Sequence, residues 1–83
     1  MERADFASLR EALTARLAAV GDHVLRASDP TAHLETLRNA AARLDALVAG
    51  LPADCDPQLR HFLERQSFLK AVAWLDERLR EVS

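Results

Sequence analysis

His61, Glu64 and Cys55 are the residues of this chain best suited to chemistry, and they fall close together in the sequence. A helical histidine can accept a phosphoryl group, but Glu64 follows His61 by one turn, where its charge would repel a phosphohistidine. Cys55 lies between Asp54 and Asp56, whose carboxylates disfavour the thiolate that a nucleophile requires. A nucleophile also needs a positioned base, and the sequence places none beside Cys55. We therefore expect no catalytic residue and a protein that is not an enzyme.

Metal binding would draw on the three histidines and the single cysteine. Zinc sites use closely spaced Cys or His pairs, and di-iron bundles use paired Glu-x-x-His motifs. Neither pattern occurs, and His61 with Glu64 has the reverse order. His23 and His33 lie beside apolar helix faces, where a partly buried, hydrogen-bonded histidine is the ordinary arrangement. The sequence therefore predicts no metal site and no cofactor.

The composition indicates one all-α domain covering residues 1–83. Leucine occurs 14 times and alanine 16 times, while isoleucine and tyrosine are absent. Leucine and alanine favour helices, and the residues that favour strands are scarce. A chain of 83 residues is near the size at which a partner subunit, a metal or a disulfide often adds needed stability. The single cysteine excludes an internal disulfide.

The distribution of charged residues does not indicate a nucleic-acid-binding surface. Eleven Lys and Arg residues face 13 Asp and Glu residues, and neither half of the chain is basic. No apolar run approaches the roughly 20 residues that span a bilayer, and the first residues lack the apolar block of a signal peptide. We expect a cytoplasmic protein of bacterial type, with no nucleic-acid or membrane partner.

Asp-Pro and Gly-Leu-Pro sequences divide the chain into three predicted helices. Asp29-Pro30 and Asp56-Pro57 are typical helix starts. Gly50 suits a left-handed residue after a helix end, and Pro52 prevents continuation. The predicted helices cover about 5–27, 30–49 and 57–82 and form an antiparallel three-helix bundle whose third helix is longest, with a kink near Ser67 as an alternative.

Gly21 is the weak point of the first predicted helix, since a glycine inside a helix costs about 1 kcal/mol relative to alanine. It could end the helix and leave 22–27 as a short extra turn. We favour one continuous helix, because Val24 returns to the same side as Phe6.

The third predicted helix changes its apolar side halfway along. Leu59 and Phe62 lie on one side, whereas the residues after Ser67 repeat on nearly the opposite side. The helix could break near Gln66, with Ser67 capping a fourth helix that begins at Phe68. It could instead be straight, with a second chain covering the later side. Wrapping both sides within one chain is disfavoured, because two helices cannot cover such a long rod.

The apolar side of the C-terminal half predicts association. We expect a small non-enzymatic interaction or adaptor module that forms a homodimer through this half. Trp74 lies off the stripe and either anchors a partner or covers the edge of the bundle. The predicted partner-binding residues are Phe68, Val72, Trp74, Leu75, Leu79 and Val82. One alternative is a chaperone-like protein that holds an amphipathic helix in a groove. Another is an enzyme subunit that completes the active site of a different chain.

Overall fold

The computed structural model describes residues 3–81 and is all-helical, as the composition predicts. No strand occurs in that range. The three-helix bundle is not confirmed, because the described chain forms five helices. In chain order they are α1 (Arg3–Val20), α2 (His23–Ser28), α3 (Pro30–Ala49), α4 (Pro57–Glu64) and α5 (Phe68–Glu81).

The prediction of one continuous helix through Gly21 is wrong. α1 ends at Val20, and Asp22 has the non-helical angles φ −82° and ψ 78°. The Asp22 carboxylate accepts a hydrogen bond of 3.0 Å from the Leu25 N–H and so caps α2. Glycine loses more backbone entropy in a helix than other residues, whereas aspartate is a favoured N-cap. The two residues together separate α1 from α2.

α3 occupies the predicted range, but Gly50 differs from the expectation. Asp29 caps the helix by accepting from the Ala32 N–H at 3.1 Å, and Pro30 is the first helical residue. Gly50 has φ −86° rather than a left-handed value, and its N–H donates to the Ala46 carbonyl. α3 therefore ends without the left-handed glycine that the sequence suggested.

The third predicted helix breaks at Gln66, which is the alternative in which a fourth helix begins at Phe68. Gln66 has φ 56°, in the left-handed region. Its N–H donates to the Leu63 carbonyl at 3.2 Å, and the Ser67 N–H donates to the Phe62 carbonyl at 2.8 Å. These two bonds form a Schellman motif that ends α4. The Ser67 carbonyl then accepts from the Ala71 N–H at 3.0 Å and begins α5.

The break turns both apolar sides toward one core. α1 lies between α3 and α5 and packs on both. Phe6 contacts Trp74 near one end of α1, while Leu17 and Phe68 line the same cleft toward the other, so α5 runs antiparallel to α1. The molecule measures 41 × 23 × 21 Å. The buried core residues are Leu9, Ala12, Leu13, Leu44, Cys55, Leu59, Leu63, Ala71 and Leu75.

Candidate interaction surface

The side of α5 that the sequence predicted for a partner faces the core of its own chain. Leu75 is 0% exposed and lies at the centre of that core. Three further predicted residues, Phe68, Val72 and Trp74, are half-buried and pack against it. Leu79 is also half-buried, and Val82 lies outside the described residues. Because the helix breaks at Gln66, the chain itself covers much of the apolar side of α5 that was predicted to bind a partner.

Trp74 covers an edge of the bundle, the second of its two predicted roles. Its ring meets the Phe6 ring edge to face, with centroids 5.9 Å apart. The Arg78 guanidinium lies 4.8 Å from the Trp74 ring centroid and 3.7 Å from an Asp56 carboxylate oxygen. Both ring contacts come from the same chain and fix the indole on the edge of the bundle.

The histidines are not brought together. His33 is buried, and its Nε2–H donates to the Ala19 carbonyl oxygen at 2.8 Å, as expected for a hydrogen-bonded core histidine. The same prediction is wrong for His23, which is exposed, and His61 is exposed as well. Across residues 3–81, no group of three or more His, Cys, Asp or Glu side chains is placed to hold a metal ion. The bond from His33 has a structural role, since it joins the first turns of α3 to the last turn of α1.

Cys55 is buried beside the start of α4. Burial raises the pKa of its thiol above the ordinary 9.0, and the neighbouring Asp56 and Asp54 act in the same direction. The Arg60 guanidinium opposes this rise by favouring the thiolate. The net effect keeps the thiol protonated and makes it a poor nucleophile at neutral pH.

The raised pKa of Cys55 predicts lower stability in alkali. The unfolded thiol ionises first, so its contribution to stability is complete below pH 9.0 and is lost as pH rises through the folded-state pKa. We expect the free energy of unfolding to fall as pH rises above that value. Urea unfolding of wild type and Cys55→Ala at several alkaline pH values tests this. An equal decline in both proteins would contradict the assignment to Cys55.

Uncovered apolar side chains gather instead around the C-terminal end of α1. Val20 is 56% exposed, although it lies one heptad beyond Leu13 and therefore on the core-facing side of α1. α5 begins beside Leu17 and runs back toward Phe6, so it leaves the last turn of α1 open. The core stripe of α1 thus continues past the helices that cover it.

Neighbouring elements extend this uncovered area. Val24, in α2 after the Gly21 turn, is 81% exposed. The bond from His33 to Ala19 brings the start of α3 beside α1, where Leu34 is 46% exposed. Leu69 is 74% exposed and lines a cleft of about 320 Å³ that it shares with Leu17, Phe68 and Lys70. We call the surface formed by these apolar residues the distal surface: Leu17, Val20, Val24, Leu34 and Leu69.

Cations without an ion pair lie around the distal surface. In the described chain, no carboxylate lies within ion-pair distance of any of five basic residues: Arg16, Arg26, Arg38, Arg65 and Lys70. Toward the opposite end, Arg43 lies 3.6 Å from Glu11, and Arg10 pairs with Asp76. Arg60, toward the other end, likewise has no carboxylate within ion-pair distance in the described chain, and the exposed Asp22, Asp29, Glu35 and Glu64 make the charge near the distal surface mixed.

Periodicity alone did not reveal the distal surface. Leu17 and Val20 share the apolar side of Phe6 on the first predicted helix, a pattern typical of core residues, while Leu69 lies off the apolar side that follows Ser67. Leu69 follows Phe62 by seven residues and so continues the first apolar side of the third predicted helix past Ser67; this spacing is the signal that points to it.

No helix within residues 3–81 is long and apolar enough to cross a membrane. Comparisons with protein-family models, with curated proteins and with solved structures found no match to this chain.

Proposed function

We propose that this protein is a small non-enzymatic helical interaction module that associates through the distal surface. The observation that carries the proposal is the exposure of Val20, Val24, Leu34 and Leu69 around one helix end. Single exposed apolar residues are common, but a cluster beside an open cleft is typical of an interaction site. No cluster of metal-binding side chains competes with this interpretation in the described part of the chain.

A second copy of the chain is the first occupant that we propose for the distal surface. Twofold homodimers are the commonest closed assemblies, and a domain of 83 residues gains from additional buried apolar area. Phe68 belongs to the dimer face predicted from the sequence and also lines the cleft of the distal surface. The proposed dimer interface therefore moves from the buried side of α5 to the beginning of that helix.

Light scattering after size-exclusion chromatography, over a range of protein concentrations, tests the homodimer. We expect a dimer for wild type and a shift toward monomer, by at least about tenfold in Kd, for Leu69→Asp and for Val20→Asp, because each places a carboxylate in the apolar contact. Ala73→Asp is the matched control: it adds the same charge at an exposed position of α5, and it should leave the dimer intact.

Two results would contradict the homodimer. If wild type were a monomer at every concentration, the protein would not self-associate and the homodimer would be wrong. A dimer unchanged by both Leu69→Asp and Val20→Asp would place the interface elsewhere.

The second candidate function is a chaperone-like protein that holds an amphipathic helix of another protein. The cleft lined by Leu17, Phe68 and Leu69 favours it, because a concave apolar site accepts the side chains of one helix face. Such a helix would compete with the second copy, and the homodimer would dissociate when it binds.

A further inference from the structure

We propose that this chain also forms a domain-swapped dimer, in which the turn at Gln66 opens and α5 of each copy packs in the core of the other. The interaction surface is then the core-facing side of α5, and its partner is a second copy of the same chain. This inference goes beyond the proposed function, because it does not use the distal surface.

The turn between α4 and α5 is made by residues that favour a helix. Gln66 has φ 56°, an angle that is sterically unfavourable for a residue with a Cβ atom. Glutamate, arginine and glutamine occupy positions 64–66 and are good helix formers. Neither glycine nor proline occurs in residues 58–83. Local preference therefore favours a straight helix here, and the packing of α5 on its own chain maintains the turn.

Opening the turn also completes backbone hydrogen bonds. Within residues 3–81, no protein acceptor receives the N–H groups of Phe68, Leu69 or Lys70 at the start of α5. A continuous helix would give these groups the carbonyls of residues 64, 65 and 66. The two hydrogen bonds of the Schellman motif would be exchanged for two helical ones. Each copy therefore gains three helical hydrogen bonds when the turn opens.

The two apolar sides of the opened helix suit two separate cores. In a continuous helix, Ala71 and Leu75 would lie about 120° around the axis from Leu59 and Leu63. All four residues are buried in the core of the closed chain. A straight helix turns the two pairs in different directions, so the first pair stays on its own copy and the second pair packs on the other.

The contacts of the closed chain identify α5 of a second copy as the occupant. Leu75 lies in the core, Trp74 meets the Phe6 ring, and Asp76 pairs with Arg10. The α5 of a second copy carries the same residues in the same order. It therefore re-forms these contacts between the two copies, and a higher protein concentration favours the exchange.

Cross-linking of two single-cysteine variants tests the swap. Both carry Cys55→Ala; one adds Arg10→Cys and the other adds Asp76→Cys. The mixture is unfolded in urea, refolded at high protein concentration and treated with a short bismaleimide. We expect a covalent heterodimer on a denaturing gel, because the swap places position 10 of one copy beside position 76 of the other. A dimer formed through the distal surface keeps this pair within each copy.

A matched control uses two positions that stay together when α5 exchanges. Glu11 in α1 and Arg43 in α3 lie 3.6 Å apart. Glu11→Cys and Arg43→Cys, in the same Cys55→Ala background, should give no covalent heterodimer. Equal yields from the two mixtures would indicate nonspecific aggregation and overturn the inference.

Variants of the turn test the role of Gln66. The protein concentration that gives half of the maximal heterodimer yield measures the Kd of the swap. Gln66→Gly should raise this Kd at least about hundredfold, because glycine accepts the turn, weakens the straight helix and acts at two turns per dimer. Gln66→Val should lower it at least about tenfold, since a β-branched residue is a clear outlier at positive φ. Arg65→Gly is the control and should change it less than about tenfold, because Arg65 already has helical angles.

The outcomes separate this inference from the proposed function. A dimer that Leu69→Asp dissociates, without cross-linking between positions 10 and 76, would overturn the swap and leave the proposed function standing. Cross-linking that Gln66→Gly leaves unchanged would place the opening at another loop and overturn the inference. A monomer without cross-linking at every concentration would overturn both proposals.

Discussion

Replacing Leu75 by alanine is expected to lower the free energy of unfolding by about 2–5 kcal/mol. Leu75 is 0% exposed and lies in the core beside Ala71. Truncation removes apolar contact and leaves a cavity that the surrounding helices close only in part. Small domains have total stabilities of about 5–15 kcal/mol, so a large share would be lost. Urea unfolding followed by circular dichroism at 222 nm measures the change.

Leu69→Ala is the matched control for Leu75→Ala. It makes the same chemical change on the same helix, but Leu69 is 74% exposed. We expect the unfolding free energy of this variant to stay within about 0.5 kcal/mol of wild type, while its association weakens. The opposite pattern would be informative. If Leu75→Ala dissociated a dimer and left monomer stability unchanged, Leu75 would belong to a partner surface, as the sequence pattern first suggested.

Substitutions at Gln66 are expected to change stability in opposite directions. Gln66→Pro should lower the free energy of unfolding by about 3 kcal/mol or more, because proline fixes φ near −65° and removes the N–H. The native residue has φ 56° and donates to the Leu63 carbonyl. Gln66→Gly should raise the unfolding free energy by up to about 1 kcal/mol, since glycine adopts left-handed angles without steric cost. Urea unfolding of the two variants beside wild type checks both signs.

The sign of the Gln66→Gly effect distinguishes a broken helix from a straight one. In a continuous helix the same substitution would destabilise by roughly 0.5–1 kcal/mol. Arg65→Gly is the control on the neighbouring residue, which has φ −84°. It should destabilise the protein, because glycine there gains no steric relief and costs backbone entropy. Destabilisation by both glycine variants would contradict the left-handed turn between α4 and α5.

Ion pairs within the chain use some of its cations and leave others unpaired. The overall net charge is −2, and neither half of the sequence is basic. Pairing decides which charges are available: Arg10, Arg43 and Arg78 lie against carboxylates of their own chain. The cations near the distal surface have no such partner among the described residues.

Local sequence determined the helical class and several helix starts. Asp29-Pro30 and Asp56-Pro57 cap α3 and α4 because an aspartate side chain reaches the free N–H groups of the next turn, and proline needs no donor there. The burial of His33 also followed from its place beside an apolar helix face. These features depend on residues only a few positions apart, so they can be predicted without knowing the fold.

Only the tertiary structure decided whether a helix continues or breaks where local helix propensity favours neither strongly. At Gly21 and at Gln66, a continuous helix and a break differ locally by only a few kcal/mol. The break at Gln66 allows Leu59 and Leu75 to share one core. The free energy gained from this packing depends on residues far apart in the chain. The same packing leaves Val20 exposed, because α5 begins beside Leu17 and runs away from that end. Burial depends on which helix ends meet, and residue spacing within one helix does not contain that information.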